Sequence, residues 1–221
     1  MRSRTGSLFA VLAAALLLPT PSFAFETPLS DEAVRDAYFL GQRHEQDFVE
    51  SMAKYTKTFP APEAGPDISS ITFLTPFALV AQLSSQRTMN YSAQQAEQDH
   101  RNQQEIVRVI IQIQFTPTYG PLIPAPTGSD PGSPTGFVQR PSDFWKDFQV
   151  AVLVNGKSLP PLSSSGKPIL DCESDAGCEL YGATLQFDYP ADAFTSDTAT
   201  IQVFPPEGAT VSVDFDLDTL R

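Results

Sequence analysis

The sequence predicts an α+β fold, an N-terminal helical segment packed on a C-terminal antiparallel β-sandwich of immunoglobulin-like architecture. Helix caps and helix-period apolar residues stop near residue 104. From Glu105 onward apolar residues recur at every second position. The strands so marked are separated by turn signals about every eight to twelve residues, which leaves no room for the crossover helices of a parallel sheet. The expected organisation is a signal peptide over 1–24, a helical segment with one strand over 25–104, and the sandwich over 105–221, with a Pro-rich loop at 116–143.

The first 24 residues carry Arg2 and Arg4, an apolar run from Leu8 to Leu18, then Pro19, Pro21 and the small-residue ending Ser22-Phe23-Ala24. This is the pattern of a secretory signal peptide. The 11-residue run is short of the roughly 18 residues that cross a bilayer, and no later segment is long enough, so no transmembrane segment is expected after cleavage. Arg2 and Arg4 are not adjacent, and no cysteine follows the run to accept a lipid. A chain beginning at Phe25, secreted or periplasmic, is the reading.

Ser30 as N-cap, followed by Asp31 and Glu32 at the positive end of the dipole, opens a helix over residues 31–56 with Val34, Tyr38, Gly41, Phe48, Val49 and Met52 on one face. Pro60, Pro62, Gly65 and Pro66 break it, and Ile68 to Thr75 reads as a short strand through Ile71 and Phe73. Thr75-Pro76 starts a second helix over Phe77 to Arg87, although Phe77, Leu79, Ala81 and Leu83 also alternate as a strand would. Ser92 and Gln95 form the S-x-x-Q capping pattern of a third helix that runs through Gln104.

Val107, Val109, Ile111, Ile113 and Phe115 then point one way, with Arg108, Ile110, Gln112 and Gln114 the other, in the clearest strand of the chain. Thr116 to Asp143 holds seven prolines and reads as a long surface loop. Phe148 to Val154 is a strand, Asn155-Gly156 a two-residue hairpin turn, and Lys157 to Leu162 the return. Three more strands follow, through Tyr181–Tyr189, Ala199–Val203 and Val211–Leu217.

Fourteen Lys plus Arg against 26 Asp plus Glu leave a net charge of -12, which becomes -14 once Arg2 and Arg4 are removed. Nucleic-acid phosphates and acidic membrane surfaces would be repelled, so neither is an expected partner. With 41% hydrophobic residues the chain has enough apolar side chain to fill its own core, and no cofactor is expected.

Cys172 and Cys178, with five residues between them, are expected to form a structural disulfide. Four neighbouring carboxylates raise rather than lower thiol pKa values, which argues against a redox-active pair. Other chemical patterns each lack a required member. Glu97-x-x-His100 has the spacing of a di-iron half-site, but His44 has no matching glutamate. Asp171, Glu173 and Asp175 resemble the start of a calcium loop, yet Gly177 is one place late and Gly182 stands where the bidentate glutamate belongs. Asp214, Asp216 and Asp218 share one face of the last strand at a spacing of the order inverting glycosidases use, and read as its solvated face. Ser51/Lys54 and Ser164/Lys167 are isolated Ser-Lys spacings. Asn90-Tyr91-Ser92 is a sequon that a turn and a helix cap already explain.

Tyr119, Phe137, Phe144 and Trp145 on or beside the Pro-rich loop are the candidate partner contacts. The functional reading is an exported, non-catalytic binding or structural protein with a protein or cell-envelope partner, without catalytic, cofactor or metal residues. The alternatives are a secreted hydrolase using carboxylates and a metal- or calcium-binding extracytoplasmic protein.

Overall fold

The computed structural model describes residues 25–43, 45–87, 91–125, 136–173 and 177–221. The expected signal peptide, His44, Asn90 and Asp175 lie outside them. The fold is mixed α+β, with antiparallel sheets and most of its regular structure in strands. The helices are α1 (Asp31–Gly41), α2 (Glu45–Met52), α3 (Pro76–Gln86) and α4 (Ala93–Arg101). The strands are β1 (Thr56–Thr58), β2 (Asp67–Leu74), β3 (Ile106–Gln114), β4 (Leu122–Pro124), β5 (Phe137–Gln139), β6 (Gln149–Val154), β7 (Lys157–Leu159), β8 (Ser163–Glu173), β9 (Gly177–Pro190), β10 (Thr198–Phe204) and β11 (Val211–Asp216).

Capping chemistry sets the helix starts. The hydroxyls of Ser30, Thr75 and Ser92 accept the backbone N–H groups of Ala33, Ala78 and Gln95 respectively, and Pro76 occupies the first position of α3, where its missing N–H costs nothing. This local signal decides for α3 against the competing strand pattern. The single helix expected over 31–56 is instead two helices, a 3-10 turn at Ala53–Tyr55 and β1. The last residue of α1, Gly41, lies at the crossing with α3: a Cβ there would stand 2.2 Å from the Ala81 carbonyl oxygen, so the two helices meet at backbone contact. The third helix stops at Arg101, three residues short of expectation.

A five-stranded sheet runs β1-β2-β3-β9-β8 and a four-stranded sheet β11-β10-β6-β7. β2, from the segment read as mostly helical, lies between β1 and β3, so the pairing crosses the boundary expected at residue 104. In β3 the inward residues Val107, Val109, Ile111 and Ile113 are fully buried, as their alternation requires. Asn155 and Gly156, both at positive φ (52° and 71°), form the β6–β7 turn that the Asn-Gly pair implies. β8 is a finding: Ser163–Glu173, read as return and disulfide loop, is an 11-residue edge strand paired with β9 throughout. From Ser163 to Lys167 it carries no apolar side chain, and as an edge strand it can be held by the backbone ladder of its neighbour.

Both larger sheets feed one hydrophobic core, with Ile71, Val109, Ile111 and Leu185 from the five-stranded sheet and Val152, Ile201 and Val203 from the four-stranded one. Phe73 of β2 stacks on Phe215 of β11 at 5.4 Å between ring centroids and meets Phe194 edge-on at 5.3 Å. A second, smaller cluster lies among the helices: Leu29, Ala33, Val34, Ala37, Phe77, Ala81 and Ala96.

Candidate functional site

Among the described residues, His100, at the end of α4, pairs with Glu105, just before β3. The short turn between those elements brings His100 Nε2 to 2.7 Å from Glu105 Oε1, with both side chains largely buried. Glu105 is already saturated. Its Oε1 also accepts the Leu29 N–H at 2.6 Å, and its Oε2 accepts the Thr27 hydroxyl at 2.6 Å. Burial alone would raise the Glu105 pKa, but hydrogen bonds from His100, Thr27 and the Leu29 amide outweigh it and hold the carboxyl below the ordinary glutamate range. The pair therefore acts as a clasp that fastens residues 27–29 to the helices.

Beside the clasp, α3, α4 and the start of β3 border a groove of about 320 Å³. Its charges are matched. Arg87 pairs with Asp99 at 3.1 Å and lies 5.0 Å from the Tyr91 ring centroid, and Arg108 makes a bidentate pair with Asp188 at 2.7 and 3.0 Å. Glu97 does not join His100: it pairs with Arg35 at 3.4 Å and Arg101 at 3.6 Å.

The remaining sequence candidates do not converge. Among the described residues no group of three or more His, Cys, Asp or Glu side chains is placed to hold a metal ion. Asp214 and Asp216 lie exposed on β11, an edge strand, where Asp214 accepts the Thr200 hydroxyl at 2.6 Å, and Asp218 follows in a 3-10 turn. Ser51 donates to the Asp47 carbonyl and Lys54 to the Thr219 carbonyl, so that Ser-Lys spacing makes no pair. Ser164 and Lys167 sit three apart on β8 and so face opposite ways. Cys172 and Cys178 are joined, and they are register partners near the end of the β8–β9 hairpin, so the bond links facing strands rather than closing a loop.

The aromatic candidates separate into two groups. Tyr119 (1% exposed) and Phe144 are buried, which corrects their reading as contacts: they pack with Phe115 and Phe148 in one ring cluster under the loop. Arg140 covers Tyr119 at 3.8 Å from its centroid and donates to the Gly120 carbonyl at 2.9 Å. Burial pushes the Tyr119 hydroxyl pKa up despite Arg140, and that hydroxyl has no hydrogen-bond partner among the described residues. Trp145 is half-buried on β8, lying where a Cβ at Gly166 would come within 2.3 Å of its indole. Phe137 is 70% exposed.

Phe137 does not stand alone. The expected 116–143 loop contains β4 and β5, which pair only with each other as a two-stranded sheet. Leu122, 59% exposed, and Pro124, register partner of Phe137, share its face of the hairpin. Leu122 was missed from sequence; the available signal was the matched apolar pairs Leu122-Ile123 and Phe137-Val138 on either side of a Pro- and Gly-rich stretch. No protein-family model matches the chain, and no curated protein is significantly similar to it.

Proposed function

We propose that the protein is an exported, non-catalytic binding module of immunoglobulin-like two-sheet architecture that holds a protein or cell-envelope partner with its β4–β5 hairpin. The observation that carries this reading is that exposed Phe137 and Leu122 share one face of a hairpin that belongs to neither larger sheet. Exposed apolar side chains on this hairpin add nothing to the core, whereas covering each by a partner contributes about 1.5–3 kcal/mol. Export is supported by the leader pattern of residues 1–24 and by the Cys172–Cys178 bond, which persists in an oxidising compartment. The two facing antiparallel sheets support the immunoglobulin-like part of the reading.

A photo-crosslinking side chain at position 137, in the cell that exports the protein, tests it. One defined adduct, lost when Leu122→Ser is added and absent when the probe is moved to Lys157 at the opposite β6–β7 turn, is the expected result. No adduct, or the same adducts from both positions, would overturn the hairpin as the contact.

A further inference from the structure

A second groove, of about 500 Å³, lies between α1, α2 and the C-terminal segment, away from the clasp and the hairpin. Its lining runs against the charge of the whole chain. Across the sequence acids outnumber bases 26 to 14, yet among the described lining residues Arg43, Lys54 and Arg221 stand against two acids, Asp36 and Glu50. Asp36 is engaged by Arg221 at 2.7 Å, and Glu50 accepts the Gln46 amide at 3.1 Å. Arg43 and Lys54 have no carboxylate within ion-pair distance among the described residues. The Lys54 ammonium donates to the Thr219 carbonyl at 3.1 Å, which leaves two of its three N–H groups to spare.

Burial first, and then repulsion from the neighbouring Arg221 guanidinium, holds the Lys54 pKa below the ordinary lysine range. An anion beside the Lys54 ammonium would offset that repulsion. The apolar part of the groove is aromatic: Arg221 lies 4.8 Å from the Phe77 ring centroid, and Phe39, 59% exposed, stands at the rim. The Arg221 main-chain oxygen accepts hydrogen bonds from the Tyr55 and Thr75 hydroxyls, which holds Arg221 against the base of α3. The Arg221 side chain is therefore presented by a fixed backbone.

We propose that this groove binds one organic anion, a carboxylate or sulfonate carried on an apolar body, with the anionic head between Arg43 and Lys54 and the body against Phe39 and Leu40. The probe is 8-anilinonaphthalene-1-sulfonate, compared with N-phenyl-1-naphthylamine, which has the ring system but no charge. In the unaltered protein the sulfonate should bind at one site and shift backbone amide resonances of α1, α2 and residues 219–221. Arg43→Gln with Lys54→Gln should weaken it at least tenfold, Lys54→Arg should retain binding, and Phe137→Ser should leave it unchanged, which separates this site from the hairpin.

Competition then identifies the source of the anion. Displacement by octanoate alone points to a free organic acid, and displacement also by a hydrophobic peptide with a free carboxyl terminus, but not by its amide, points to a chain end. Equal binding of the uncharged analogue, amide shifts elsewhere, or failure of both competitors would overturn the proposal.

Discussion

The two hydrophobic clusters are built on different principles. Between the sheets, large side chains such as Phe73, Ile111, Phe194, Ile201 and Phe215 interlock with little polar help. Among the helices, alanines dominate and the packing depends on backbones lying close together. That layer carries the polar ties: the Glu105 clasp, the Tyr38 hydroxyl on the Tyr91 carbonyl at 2.9 Å, and the Arg101–Asp31 and Arg35–Glu97 pairs. The ion pairs of the tie set are partly exposed and contribute little each, so the clasp and the close α1–α3 contact hold the helices. The sheet core should therefore set global stability, while the helical layer opens locally at lower cost.

The sharpest test of that contrast is Phe73→Ala, which leaves a cavity facing both Phe215 and Phe194. It should cost about 3–5 kcal/mol and lower Tm by roughly 10 °C, read by calorimetry. Gly41→Ala should come next. Its methyl group meets the Ala81 carbonyl, and a loss of about 2–3 kcal/mol with faster hydrogen exchange in α1 and α3 is expected, β3 remaining protected. Equal deprotection of β3 would mean that the helices and sheets form one cooperative unit.

Glu105→Gln removes the charge of the clasp and should cost about 1–3 kcal/mol at neutral pH. Because the folded state holds the Glu105 pKa below its unfolded value, its contribution is present above about pH 4.5 and is lost as pH falls through the folded pKa. The Tm gap between parent and variant should close on acidification from pH 6 to pH 3. The smallest effect has the opposite sign. Asp67 is buried, burial raises its pKa, and its Oδ1 has no hydrogen-bond partner among the described residues. Its favourable protonated form is fully present below the ordinary aspartate pKa and is lost as pH rises through the folded value. Asp67→Asn should therefore gain stability relative to the parent, by about 1 kcal/mol, as pH is raised from 3 to 7.

Elements carried by neighbouring residues were legible in the sequence. Ser92 with Gln95, Thr75 with Pro76, Asn155 with Gly156 and the alternation of β3 each express a local hydrogen bond or a face preference that does not depend on the rest of the chain. The strand β8 was not legible, because its stability comes from a ladder to β9 and its sequence shows no apolar period. The candidate contacts were half legible for a related reason. Tyr119 and Phe137 are both aromatics of one Pro-rich stretch, and only packing distinguishes the ring beneath Arg140 from the one facing solvent.

By itself the sequence determined an acidic chain, an α+β composition, a cysteine pair suited to a bond, and most helix starts and strand periods. Tertiary structure alone decided that β2 enters the sheet between β1 and β3 and that α1 meets α3 in backbone contact at Gly41. It also decided that Glu105 ties down residues 27–29, and that Arg43, Lys54 and Arg221 meet in one groove. Each of those outcomes joins residues far apart in the chain, where the free energy lies in burial and pairing across space rather than in the preference of any local segment.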